Sequence, residues 1–104
     1  MHAERYHLLF AEDLAGASLY YDDISADLGR RFRERVRDLI VAIVERPESY
    51  GHIGGVYRGA LLKGFPYVVV YSTADTSLTI YGLRHAASDR GDWFSRSLAT
   101  DRDG

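Results

Sequence analysis

Arg58, Lys63, Arg84 and His85 lie within one stretch, Tyr57 to His85, that is otherwise rich in Val, Leu, Ile and Tyr. Side chains of these types could cleave an RNA backbone. The histidine would act as acid or base beside the 2′-hydroxyl, and the fixed cations would stabilise charge developing on the phosphate. A sheet face carrying tyrosine and arginine would also offer stacking and phosphate contacts. The plainer reading makes them strand-end residues that reach for solvent or for carbonyls. His85 directly follows Arg84, and successive side chains of a strand point to opposite faces, so the two would converge only across a bend. Geometry favours the plainer reading.

A second basic group is Arg30, Arg31, Arg33, Arg35 and Arg37, crowded into the first half of a helical pattern. It reads either as a ridge for phosphates or a partner, or as a solvated face. Glu34 and Asp38 stand three or four residues from several of these arginines and can pair with them, which favours the solvated face. Cations near a helix N-terminus carry a small penalty, so a bound partner is the competing explanation.

Other chemistries lack their residues. With no cysteine there is no disulfide and no thiolate metal site. Asp22 and Asp23 are adjacent and cannot both reach one ion from a helix, and His52 stands alone in a Gly-rich connector. There is no Gly-rich phosphate loop, His-Glu-x-x-His pair or serine elbow. Neither a metal nor a cofactor is expected.

The elements that must position these residues are legible. Arg5 to Phe10 alternates, with Tyr6, Leu8 and Phe10 on one side, and predicts a first strand. Ala11-Glu12-Asp13 opens a helix whose stripe is Leu14, Ala17, Tyr21, Ile24 and Leu28, with Ser18 toward solvent and Gly29 as its end. A second helix over Arg30–Glu45 follows from Phe32, Val36, Leu39, Ile40, Ile43 and Val44, and Arg46-Pro47 stops it. Matching stripes on two helices imply an antiparallel hairpin. A connector, Glu48 to Gly55, leads to three strands separated by Gly64-Phe65-Pro66 and by the polar turn Ser72–Ser77. In strict alternation, Phe65, Tyr67, Val69 and Tyr71 share one face, and Ile80, Gly82 and Arg84 oppose Thr79, Tyr81, Leu83 and His85. The fold class is α+β: an N-terminal strand, then a two-helix hairpin packed on a small antiparallel sheet with a three-strand C-terminal meander. One domain over residues 1–99 and a frayed tail over 100–104 are expected, with Trp93 and Phe94 packing a short terminal helix or turn.

The totals agree with an ordinary globular domain: 104 residues, 46% hydrophobic and 27% charged. A net charge of −2 provides no global basic footprint of the kind nucleic-acid binders use. No apolar run approaches the roughly 20 residues of a membrane span, and no secretory h-region opens the chain. A cytoplasmic protein without membrane contact is expected.

Taken in order, the segments resemble the RelE/ParE superfamily of toxins from bacterial type II toxin–antitoxin pairs. They are the opening strand, Tyr20-Tyr21, Leu28-Gly29-Arg30-Arg31-Phe32, Arg46-Pro47, Tyr57-Arg58, Phe65-Pro66-Tyr67-x-x-x-Tyr71, Leu83-Arg84-His85 and Arg90-x-x-Trp93-x-x-Arg96. The resemblance implies the helical-hairpin-on-sheet fold, growth inhibition, plasmid stabilisation and a cognate antitoxin, with which the toxin would form a heterotetramer. In the RelE-like branch, which cleaves mRNA on the ribosome, an arginine commonly follows the tyrosine of the third strand. Val68 stands in that place here. The Phe65-Pro66-Tyr67 strand and Leu83-Arg84-His85 look more like the ParE branch, whose target is DNA gyrase. A ParE-like gyrase inhibitor is therefore expected. The alternatives are a ribosome-dependent nuclease using Arg58, Lys63, Arg84 and His85, or a degenerate toxin kept as a binding partner. Arg30, Arg31, Arg33, Arg37, Arg58, Tyr67 and Trp93 are the expected partner-binding residues.

Overall fold

The computed structural model describes residues 3–88. The expected tail, the domain end at 99 and Trp93 lie outside the described residues.

The chain opens with strand β1 (Ala3–Tyr6) and two helices, α1 (Phe10–Ile24) and α2 (Ala26–Glu45). A 3-10 turn (Pro47–Ser49) follows, then β2 (His52–Gly54), β3 (Tyr57–Leu61), β4 (Tyr67–Ala74) and β5 (Ser77–His85). The helices form the expected hairpin, but its corner is Ser25 rather than Gly29. Ser25 is extended (φ −165°, ψ 146°); its N–H donates to Tyr21 O at 3.0 Å, and its hydroxyl accepts from Leu28 N at 3.0 Å. One residue thus closes α1 and caps α2.

Gly29 lies buried inside α2 for a different reason. A Cβ there would stand 1.7 Å from Asp22 Oδ1 and 3.1 Å from Asp22 Cα, so the helices cross closely at this point. The expected α1 stripe also shifts. Ser18 is buried (6% exposed) and Ile24 is not (60% exposed), because Phe10, Ala17, Ser18 and Tyr21 form the inner face.

The sheet has five strands in the order β1-β5-β4-β3-β2. Its meander is antiparallel as expected, but β1 joins parallel to β5, with Ala3 opposite Ser77 and Tyr6 opposite Ile80, so the sheet is mixed. The expected connector contributes β2 as a short edge strand on β3. The hairpin between β4 and β5 is tighter than Ser72–Ser77. Ala74 pairs directly with Ser77, and Asp75 takes the left-handed conformation (φ 46°) that a two-residue loop demands.

A bulge breaks strict alternation on β5. Val70 pairs with Gly82 and Tyr71 with Ile80, so Tyr81 is the extra residue. Consequently Leu78, Ile80 and Leu83 are all buried, whereas simple alternation put Leu83 opposite Ile80. The core joins these residues to Val69 and Tyr71 of β4, Ala60 of β3, and Phe32, Val36 and Ile43 of α2. Each fully buried large side chain is worth about 1.5–3 kcal/mol against exposure.

Candidate functional site

The arginines of α2 are mostly committed within the molecule. Arg30 is bonded to Asp27 and to Glu34 (3.0 Å), and Arg31 Nε lies 3.2 Å from Asp27. Hydrogen bonding and charge from Arg30, then from Arg31, hold the Asp27 carboxyl below its ordinary range. Arg33 reaches across the hairpin and donates to both oxygens of Asp22 at 3.0 and 3.1 Å. Arg35 donates to Lys63 O at 2.8 Å. The ridge is thus largely a solvated, self-paired helix face. Arg37 is the exception, with no ion pair or hydrogen bond among the described residues.

Arg37 stands on the rim of a cleft of about 470 Å³ lined by Glu4, Tyr6, Phe10, Leu14, Arg33, Val36, Arg37, Ile40 and Val41. Its α2 wall recurs at steps of three and one, which is one helical face. On the facing wall the Tyr6 and Phe10 rings meet at 5.3 Å, and the Tyr6 hydroxyl donates to Glu4 at 3.1 Å. Burial, reinforced by the Glu4 carboxylate, pushes the Tyr6 phenol up to about 12, so it stays a neutral donor. Sequence reasoning singled out Arg33 and Arg37 but missed this cleft. Its trace was Val41, an apolar residue that fits no position of the buried stripe and is 52% exposed.

The four residues of the nuclease reading are dispersed. Arg58 is turned inward, donating to Tyr50 O at 2.5 Å beside Tyr71, whose hydroxyl donates to Pro47 O at 2.5 Å. These two bonds pin the connector after α2. Lys63 sits exposed after β3. Arg84 is drawn to Asp13 on α1, at 3.9 Å. His85 packs edge-on against Tyr67 at 5.2 Å and accepts from Ala87 N through Nδ1 at 3.1 Å. Arg58 pairs with Tyr71 and His85 with Tyr67 on opposite sides of β4. The two are therefore offset by roughly 13 Å along the strand and by two strand spacings across it.

Tyr67 belongs to an aromatic cluster with Phe32 at 5.4 Å and Tyr21 at 6.4 Å, and burial raises its phenol. On the face away from the helices, Tyr57 and Tyr81 meet at 5.2 Å, and the Ser72 and Tyr81 hydroxyls lie 3.2 Å apart. Among the described residues, no three metal-ligating side chains converge, and no helix is long and apolar enough to cross a membrane.

The sequence matches no protein-family profile and no curated protein. A solved structure does match: a chain of the chromosomal ParDE TA system from P. aeruginosa, with a TM-score of 0.72. The match covers 82% of this chain and 96% of that one at 11% identity, so the likeness is one of fold. With two helices packed on a mixed five-stranded sheet, the chain has the ParE-like fold that its sequence resemblance implied.

Proposed function

We propose that this chain is the toxin of a bacterial type II toxin–antitoxin pair, acting in the cytoplasm on DNA gyrase and held in check by a cognate antitoxin. The carrying observation is the ParE-like fold, shared with a chain of a ParDE system over most of both molecules. The dispersal of the nuclease candidates supports the gyrase branch. Arg58 is tied to Tyr50 O, Arg84 is drawn to Asp13, and Val68, opposite Arg84 on β4, brings no charge where the RelE-like branch commonly carries an arginine. Growth inhibition, plasmid stabilisation, a heterotetramer with the antitoxin and a domain ending near residue 99 belong to the same proposal.

Induced expression, with replication and translation followed separately, tests it. Replication should stop first, DNA-damage signalling should rise, and purified gyrase should lose supercoiling activity in the presence of the chain. Unchanged supercoiling at high concentrations of the chain would count heavily against gyrase as target. Codon-phased cuts mapped by primer extension would move the assignment to the ribosome-dependent nuclease. Unaffected growth would mark a degenerate toxin that only binds its partner.

A further inference from the structure

We propose that the sheet face turned away from the helices carries a seat for the chain's own C-terminal segment, with the indole of Trp93 lying across Val70 and Gly82. The inference goes beyond the toxin reading and holds whatever the chain inhibits.

The seat follows from alternation along β4. Val69 and Tyr71 belong to the core beneath the helices, so Val70 between them points to the opposite face. Val70 is nevertheless only 1% exposed, and it does not belong to that core cluster. Its partners in the ladder cannot cover it with side chains, because Val70 pairs with Gly59 on one flank and Gly82 on the other. Around Gly59 the neighbours close in: a Cβ there would stand 2.9 Å from Ile53 Cγ2 and 3.1 Å from Val68 Cγ1. Gly82, on the other flank, is buried as well. The row Gly59–Val70–Gly82 is therefore the floor of a trough. Tyr57 and Tyr81, whose rings meet at 5.2 Å, form one wall, and the paired Leu61 and Val68 form the other. Strand glycines mark places where another group approaches the backbone closely, and an aromatic ring laid over them restores the missing contact.

Chain continuity identifies the occupant. Val70 is buried within one chain, so its cover is intramolecular. β5 ends at His85, whose carbonyl accepts from the Ser88 N–H at 2.9 Å and from the Ser88 hydroxyl at 2.6 Å. These bonds turn the chain just past the strand that carries Gly82. Residues 89–104 follow, and they include Trp93, the single tryptophan, beside Phe94. The five residues from Ser88 to Trp93 reach up to about 17 Å, and Gly82 lies about 10 Å back along β5 from His85. An indole suits both floor and wall. Its apolar body covers Val70 and Gly82, and the Ser72 and Tyr81 hydroxyls, 3.2 Å apart, offer an acceptor for its N–H. Trp93 then serves the chain's own sheet rather than a partner.

Because Trp93 is the single tryptophan, its fluorescence in the full-length protein reports on this seat alone. Its emission should be blue-shifted from that of the urea-unfolded chain, and acrylamide should quench it several-fold less. In isotope-labelled protein the indole protons should show nuclear Overhauser contacts to the Val70 methyls and to the Tyr57 and Tyr81 rings. Gly82→Leu should fill the trough, shift the emission to the red and bring the quenching back. Trp93→Ala should keep the circular dichroism of the fold and move the amides of Val70, Tyr81 and Gly82. Emission and quenching at the unfolded values in the folded protein would overturn the proposal. So would indole contacts to the helix-side core at Val36 or Ile43. Protection that disappears on dilution would overturn it as well, because a second copy of the chain would then supply the cover. Where Gly82→Leu fails to fold, the Overhauser contacts of the unaltered protein decide the question.

Discussion

The carboxylate of Asp13, in the first helix, accepts the backbone N–H of Leu83, in the last strand, at 3.1 Å across 70 residues of chain. Sheet pairing explains the need. β1 covers β5 only as far as Ile80, where His7 N donates a final bond to Ile80 O at 2.8 Å. Beyond that point the edge of β5 has no strand neighbour, and Asp13 supplies the missing acceptor. Arg84, 3.9 Å away, balances its charge. Asp13→Ala leaves the Leu83 N–H without its acceptor and should cost about 1–3 kcal/mol. Asp13→Asn keeps an oxygen in place and should cost clearly less. Urea denaturation of the two variants makes the comparison, and equal losses would show that the bond to Leu83 is not what matters.

Two glycines in helices should respond in opposite directions. At Gly16 a Cβ meets nothing within 4 Å, so Gly16→Ala should stabilise by about 0.5–1 kcal/mol through helix propensity. At Gly29 the same change drives a methyl into Asp22, whose backbone also lies close. Gly29→Ala should therefore lose about 1–3 kcal/mol as an overpacked contact. Asp22→Ala in that background should recover part of the loss. Thermal melts of the three variants settle the signs.

Much of the architecture was legible because it follows from apolar spacing. The α2 stripe through Phe32, Val36 and Ile43 is buried as the period of 3.6 requires. What failed depended on contacts between distant segments. Gly29 carries a strong helix-ending preference, yet it serves a helix crossing that only Asp22 reveals. The Tyr81 bulge inverts the faces of β5 without any marking residue. The arginine ridge was visible in the sequence. Which arginine stayed uncommitted was not, since Asp22 and Lys63 O come from other elements.

Ser18 offers a change that should do no harm. Its hydroxyl is buried and has no hydrogen-bond partner among the described residues. Replacing it by alanine removes an unsatisfied polar group and improves helix propensity. Ser18→Ala should be neutral or stabilising by up to about 1 kcal/mol, and a loss larger than that in chemical denaturation would contradict the account.

Alkaline stability should report on Tyr71. Burial pushes its phenol up to about 12, against the opposing pull of Arg58. A phenol with a folded pKa above its unfolded value of about 10 contributes in full below pH 10. That contribution is lost as pH rises from about 10 to about 12, because the unfolded chain releases its proton first. Tyr71→Phe gives up the bond to Pro47 O and should cost about 1 kcal/mol at neutral pH. Its stability should then fall less steeply above pH 10, with the raised phenols of Tyr6, Tyr21 and Tyr67 still contributing to the remaining slope. Parallel pH profiles for the two proteins would contradict the assignment.

The parallel pairing of β1 with β5 also sets a clock on synthesis. β1 has no other sheet neighbour, and its first pair joins Ala3 to Ser77. At about 5–20 residues per second, some 4–15 seconds separate the emergence of the two partners. Throughout that interval β1 has no strand to pair with, so the wall of the cleft formed by Glu4 and Tyr6 has nothing to rest on. The surface is completed only when almost the whole described chain has left the ribosome, so a nascent or prematurely truncated chain cannot present it.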